Sequence, residues 1–246
     1  MDAYLEKEYY IRATDINCFG QLSVTTVLDL FQDAAVDHAV PLVVGYSAMV
    51  SRGLVWVVAR TRIEITGSAA MYQKVRVCTW PHAPAGFGCL REYRMEDPGT
   101  GACIAKGDSE WLCMNMETRS AASADRIFLP EISFREERVF SERMPRIRWR
   151  DIPDTETFSV TPAFTDLDIN GHVNNTKYAN YILDALRPEK GTEIAALQID
   201  YHREVMQGEL LTLSLLRETS ERGPAVRIKG TGGGALRFAA SVLLKS

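Results

Sequence analysis

The sequence predicts an α+β protein made of two similar units in tandem, each a single helix laid on a mainly antiparallel sheet. Three observations point there. Segments alternating at period two, as half-buried strands do, fill most of both halves. Each half opens with a short strand, a turn-rich stretch and one amphipathic helix. The segments leading into the two helices also overlay at an offset of 151 residues, placing Asp15 on Asp166, Gly20 on Gly171, Asp33 on Asp184 and Ala34 on Ala185. The tripeptide Asp-Ile-Asn occurs in each of these segments, at 15–17 and 168–170, although shifted by two residues.

The elements follow in order. Residues 7–12 read as an edge strand and 15–20 as a turn-rich segment. Ser23 is a good N-cap for a helix running to about His38, with Val24, Val27, Leu28, Phe31, Ala34 and Ala35 on one face. Pro41 stops it, and a short helix is expected near 45–52. Residues 54–66 form a long strand rich in β-branched side chains, and 74–80 alternate at period two. The turn Asp97-Pro-Gly-Thr-Gly101 joins 87–95 to 102–116 in a hairpin. Residues 121–155, with Pro130, Pro145, Pro153 and arginines from Arg135 to Arg150, read as a connecting segment crossing the surface. It is either a solvated linker or a basic docking strip for an acidic partner. The pattern then repeats: a strand at 158–162, a turn-rich segment, a helix at 174–186 closed by Pro188, and strands near 194–203, 210–217, 225–231 and 235–244. The expected organisation is a first domain over 1–120, a linker over 121–155 and a second domain over 156–246.

Composition excludes several classes. The longest uninterrupted aliphatic or aromatic run spans 54–59, far below the roughly 18–20 residues of a membrane-spanning helix. The acidic start has no apolar stretch of a secretory signal, which points to a cytoplasmic location. With 28 basic and 32 acidic side chains, the formal charge of −4 lacks the basic footprint of nucleic-acid binding. Five irregularly spaced cysteines, all in the first half and none in a CxxC pair, suit a reducing compartment and small core residues; no metal site or cofactor is expected. His38, at the end of the first helix, suits a cation stabilising that terminus, and His82 reads as a loop residue.

The densest polar cluster lies just ahead of the second helix, from Asp166 to Tyr178. The unpaired amides and positive end of a helix favour a developing negative charge, such as a carbonyl becoming an oxyanion. Any one of these residues could be a simple cap; together Asp168, Asn170 and His172 make a reactive constellation. The first half keeps Asp15 and Gly20 but carries Gln21 in place of His172, which suggests one active and one degenerate half. Glu204 is a second candidate, flanked by His202 and Arg203 at the end of a predicted strand.

These residues carry a family resemblance. Asp168-Ile-Asn170-Gly-His172-Val173-Asn174-Asn175-Thr-Lys177-Tyr178 closely resembles the Asp-x-Asn-x-His-Val-Asn-Asn-x-Lys-Tyr hallmark of the acyl-acyl-carrier-protein thioesterases of bacteria and plant plastids. Tyr201-His-Arg203-Glu204 is similar to that family's Tyr-x-Arg-Glu segment, and Ser109 to Arg119 to the end of its first domain. The resemblance implies a double hot-dog fold and hydrolysis of fatty acyl-carrier-protein thioesters, with Asp168, Asn170, His172 and Glu204 as the catalytic set. It further implies an acyl tunnel mainly in the first domain, with Met49 and Trp56 as candidates, and substrate contacts at Val173, Asn174 and Asn175. The partner it implies is acyl carrier protein bearing a phosphopantetheine-linked chain, with Lys177, Arg203, Arg146 and Arg148 as candidate docking cations on an expected monomer or homodimer. Where some members carry a cysteine after the glutamate, this chain has Val205, and no cysteine follows Cys113, so a thiolate nucleophile in this half is excluded. Glu204 and His172 are then expected to activate water, with Asp168 orienting His172; a carboxylate nucleophile is the variant. Acyl-coenzyme A hydrolysis, a non-catalytic acyl-binding module and a hydratase are the competing readings.

Overall fold

The computed structural model describes residues 2–149 and 156–245, so Arg150 and Pro153 of the expected linker lie outside the described residues. The chain divides into two compact units at Arg143/Met144. Residues 121–143 therefore belong with the first unit.

Unit 1 contains β1 (Leu5–Tyr10), α1 (Val24–Ala39), α2 (Tyr46–Val50), β2 (Leu54–Ile65), β3 (Lys74–Pro81), β4 (Gly88–Glu96) and β5 (Cys103–Asn115). Its strands lie in the order β1-β3-β4-β5-β2, with every pairing antiparallel. Unit 2 contains β6 (Glu156–Val160), α3 (Lys177–Leu186), β7 (Glu193–Tyr201), β8 (Leu211–Ser220), β9 (Gly223–Gly232) and β10 (Ala235–Lys245). Its order is β6-β8-β9-β10-β7, again antiparallel throughout. Strand for strand the two orders are the same. The duplication read from the sequence is thus a duplication of topology.

In each unit the long helix buries its apolar stripe. On α1, Val24, Val27, Leu28, Phe31, Ala34 and Ala35 are all buried, and the Phe31 ring stacks on Tyr93 of β4 at 4.9 Å. On α3, Tyr178, Tyr181, Ile182 and Ala185 are buried. Tyr178 meets Tyr201 of β7 and Phe238 of β10 edge-on, each at 5.2 Å between ring centres. Phe238 in turn covers Gly230 of β9, where a Cβ would overlap the ring. These contacts tie the start of α3 to the ends of the strands beneath it. Each such aromatic pair contributes about 0.5–1.5 kcal/mol beyond the burial of its surface.

The segment expected to be a linker is fixed to the sheets by specific bonds. In unit 1, Trp80 Nε1 donates to the Glu137 carbonyl at 2.9 Å and Val139 N–H to the buried Glu92 carboxylate at 3.2 Å. Phe140 lies under the Arg62 guanidinium at 3.7 Å. In unit 2, Ile147 N–H donates to the buried Asp200 carboxylate at 2.9 Å, and Gln198 Nε2 to the Pro145 carbonyl at 2.6 Å.

Four local expectations differ from the structure. The second helix begins at Lys177 rather than Asn174, because the Asn174 side chain closes a tight turn ahead of it. Ser23 does not cap α1 with its hydroxyl; its N–H donates to the Asp15 carbonyl at 2.8 Å instead. His38 is no helix-end cation, since burial and the neighbouring Arg91 lower its pKa to about 4 and keep it neutral. His82 lies in the loop after β3 as expected, half-buried with Nε2 3.1 Å from Glu92. Of the cysteines, Cys78, Cys89 and Cys113 are buried as expected, but Cys18 and Cys103 are exposed.

Candidate active site

The polar loop ahead of α3 is a small hairpin built by its own side chains. Leu167 bridges to Val173, the Asp168 N–H donates to the His172 carbonyl at 2.8 Å, and the Gly171 N–H donates to the Asp168 carbonyl at 3.0 Å. Gly171 sits at φ +77°, a left-handed conformation that glycine adopts without strain. Asp168 fixes the interior: its Oδ1 accepts the Asn170 N–H at 2.8 Å and the His172 N–H at 3.4 Å. An Asx turn of this kind is what a short carboxylate or amide side chain does best.

The first half repeats this hairpin bond for bond. Ile16 bridges to Leu22, and the Asn17 N–H donates to the Gln21 carbonyl at 2.8 Å. Asn17 Oδ1 accepts the Phe19 and Gln21 N–H groups at 2.9 and 3.0 Å. Asn17 therefore stands where Asp168 does and Gln21 where His172 does, following the offset of 151 and not the displaced Asp-Ile-Asn match.

A long-range bond brings the second candidate into place. Val173 N–H donates to the Val205 carbonyl at 2.9 Å, one residue beyond His172 and one beyond Glu204. Val173 and Val205 are themselves buried, so the two loops meet on an apolar seam. Across it, His172 Nε2 stands 3.5 Å from Glu204 Oε2, with both side chains open enough for water and substrate to reach them (25% and 40% exposed). The loops thus give a carboxylate–imidazole pair able to accept a proton from water. Asp168 bonds the main chain of His172 and not its ring, so its part in this geometry differs from the orientation of the imidazole expected from sequence. Asn170 is exposed, with Nδ2 3.4 Å from Asp168 Oδ2.

The head of α3 lies beside the same seam. The Asn174 N–H is taken by the Asp166 carbonyl, the Thr176 N–H by Asn174 Oδ1 and the Lys177 N–H by the Asn174 carbonyl. The Asn175 carbonyl accepts the Tyr201 hydroxyl at 3.1 Å. Among the described residues, the Asn175 N–H has no acceptor.

The remaining sequence candidates are dispersed. Lys177 is half-buried on the first turn of α3, and Arg203 is exposed in the loop before Glu204. Arg146 and Arg148 are exposed, and with Arg227 and Glu218 they line a pocket of about 640 Å³ that neither His172 nor Glu204 touches. Met49 is fully buried in a unit 1 cluster with Leu42, Val44 and Cys113. Trp56 packs against that cluster and donates Nε1–H to the Val44 carbonyl at 3.2 Å. Sequence reasoning named Val205 only for the cysteine it replaces and did not mark Glu209 or Arg237, whose positions carry no pattern that would have marked them.

The antiparallel strand order, repeated in the two units with one long helix each, is that of a double hot-dog protein, and the comparisons give the family. Residues 2–129 match the acyl-ACP thioesterase N-terminal domain and residues 150–235 its C-terminal domain. The chain belongs to the acyl-ACP thioesterase family. Among its relatives, the chloroplastic oleoyl-acyl carrier protein thioesterase 1 of Arabidopsis thaliana is 29% identical over 95% of this chain and 67% of its own length. The chloroplastic acyl-[acyl-carrier-protein] hydrolase FATB2 of Cuphea viscosissima is 29% identical over 80% of this chain and 51% of its own. The crystal structure of an acyl-ACP thioesterase from Bacteroides thetaiotaomicron superposes with a TM-score of 0.85 at 22% identity, covering 99% of this chain and 98% of that one. The 12:0-ACP thioesterase from Umbellularia californica gives 0.84 at 21%, covering 99% and 97%. At these identities the structural likeness speaks to the fold.

Proposed function

We propose that this chain hydrolyses the thioester of a fatty acyl chain carried on acyl carrier protein, releasing the free fatty acid and ending elongation. The observation that carries the assignment of residues is the His172–Glu204 pair held at the head of α3 by the Val173–Val205 bond. Membership of the family supplies the reaction.

The mechanism follows from the geometry. A water beside His172 and Glu204 gives up a proton to that pair as its oxygen attacks the thioester carbonyl. The carbonyl oxygen, becoming an oxyanion, is stabilised by the open Asn175 amide and the positive end of α3. The tetrahedral intermediate collapses with cleavage of the C–S bond, and the proton held by the pair passes to the leaving pantetheine thiolate. Asp168 keeps the hairpin shaped so that the ring of His172 emerges toward Glu204, and Asn170 offers an exposed amide to the substrate or to water. Val173, Asn174 and Asn175 border the reacting thioester. Met49 and Trp56 belong to the apolar wall for the acyl chain. Lys177, Arg203, Arg146 and Arg148 supply cations for an acidic carrier.

The experiment is turnover across a panel of acyl thioesters of different lengths, each presented on carrier protein and on coenzyme A. Higher kcat/KM on the carrier-linked set is expected. Equal or better turnover on coenzyme A reassigns the substrate, and ligand that persists unhydrolysed makes the protein an acyl binder. Single turnover in ¹⁸O-labelled water distinguishes direct attack by water, which labels the fatty acid at once, from a carboxylate nucleophile whose anhydride opens at the enzyme-side carbonyl, which places label in the enzyme first and in product only on a later cycle.

A further inference from the structure

Glu204 sits in a loop, and loops hold a reacting group in place only when something pins them. Besides the bonds of Val205 to Val173 and of Gly208 to the Pro162 carbonyl, the bonds that hold 202–209 at its two ends meet at one residue, Arg237 of β10. The β9–β10 register slips between Leu236 and Phe238, so Arg237 is the extra residue of a bulge. A bulge re-aims the backbone locally. Here the Arg237 carbonyl collects two amides, those of His202 at 2.9 Å and Arg203 at 3.1 Å, immediately before Glu204.

The side chain of the same residue reaches the other end of the loop. Arg237 Nε donates to Glu209 Oε1 at 2.7 Å, and Nη2 lies 2.6 Å from the same oxygen. Both side chains are largely buried (20% and 15% exposed). The second oxygen of Glu209 accepts the Met206 N–H at 3.4 Å, two residues beyond Glu204. The site is shaped for this arrangement: a Cβ on Gly232 would overlap the Glu209 carboxylate, so a glycine lets that carboxylate lie over β9.

We infer that Arg237 is a positioning residue for Glu204, holding the turn at both ends, by its carbonyl before the carboxylate and by its guanidinium through Glu209 after it. This rests on the thioesterase reading above only in naming the group positioned. Arg237 and Glu209 neutralise each other and do not touch the reacting atoms. Their contribution is to keep Glu204 within reach of His172, and misplacing a reacting group by about 1 Å can cost on the order of 10²-fold.

The test measures kcat and KM for Arg237→Met and Glu209→Gln, each alone and combined with Glu204→Gln. Either single variant is expected to lower kcat by about 10- to 100-fold with KM within about twofold. In the Glu204→Gln background neither should lower the residual rate further, since its action passes through Glu204. Wild-type kcat in both folded variants overturns the inference, as does an equal loss with and without Glu204. If Arg237→Met does not fold, Glu209→Gln, a neutral isostere, decides alone. A readout independent of turnover separates this from the activity reading: the His172 ring ¹⁵N signals should move in Arg237→Met in the direction they move in Glu204→Gln. Unmoved signals overturn the positioning role even if the wild-type protein hydrolyses no acyl-carrier-protein substrate.

Discussion

Asp168 and Asn17 close the same turn in the two halves of the chain, each accepting two backbone amides with one side-chain oxygen. The amide of Asn17 performs the shaping without a charge. Whatever the charge of Asp168 adds is therefore available for chemistry.

This separates two variants that are often treated as one. Asp168→Asn should leave stability within about 0.5 kcal/mol of wild type, because Asn17 shows that the turn forms with an amide. Asp168→Ala should cost about 1–2 kcal/mol by leaving the turn's amides without their acceptor. Thermal melts measure both, and a fall in kcat of about 10²-fold or more in Asp168→Asn would assign that loss to charge.

The first half also supplies a template at His172. Gln21 occupies the equivalent position of an intact hairpin, so His172→Gln should fold normally and yet lower kcat by about 10²–10⁴-fold. Glu204→Gln should match it, and the double variant should be little worse than either single one, since the two act as a unit. Near-wild-type turnover in either folded variant sinks the pair as the proton acceptor.

The seat of Phe238 gives a packing prediction. Gly230→Ala places a methyl where the Phe238 ring lies, and that ring supports Tyr178 at the start of α3. Overpacking of this kind costs about 1–3 kcal/mol. A lower Tm with a disturbed Tyr178 environment is expected; unchanged stability would mean the ring moves freely.

His38 makes the first unit sensitive to acid. Burial and, secondarily, the charge of Arg91 bring its pKa down from 6.5 to about 4, against a small opposing influence of Asp2. Below pH 6.5 the unfolded chain takes up a proton that the folded chain refuses, so the unfolded state gains stability. Stability is full above pH 6.5 and declines as pH falls to about 4, by up to about 3 kcal/mol. Urea titrations of wild type and His38→Gln at several pH values should diverge over this window and run parallel above it.

Charge at the helix head and the loop before Glu204 can be tested by reversal. Lys177→Glu with Arg203→Glu should raise KM for carrier-linked thioesters several-fold at low salt and leave small thioesters unaffected. An unchanged KM removes these cations from the docking surface.

Much of this protein is local in origin. The period-two strands, the amphipathic faces of α1 and α3, the Asp97–Gly101 turn and the turn at Gly233-Gly234 follow from neighbours along the chain, and so does the duplication that singles out His172 against Gln21. One slip came from a distant group and one from a side chain two residues away. His38 looks like a helix-end cation until β4 brings Arg91 to 3.2 Å from its Nδ1. Asn174 looks like the first residue of a helix until its side chain turns back onto Thr176.

The sequence by itself determined the two-unit α+β plan, the turn-rich segment before α3 and the residue types of the candidate site; that the segment is a hairpin came from the structure. Only the tertiary structure decided that His172 faces Glu204. The two segments are joined by the backbone bond between Val173 and Val205, 32 residues apart, and the chain before Glu204 is bonded to the Arg237 carbonyl at the β10 bulge. Turn chemistry and hydrophobic period are set by adjacent residues and can be read in order. Contact between two loops is set by strand register and by main-chain groups that every residue carries, so no side-chain pattern announces it.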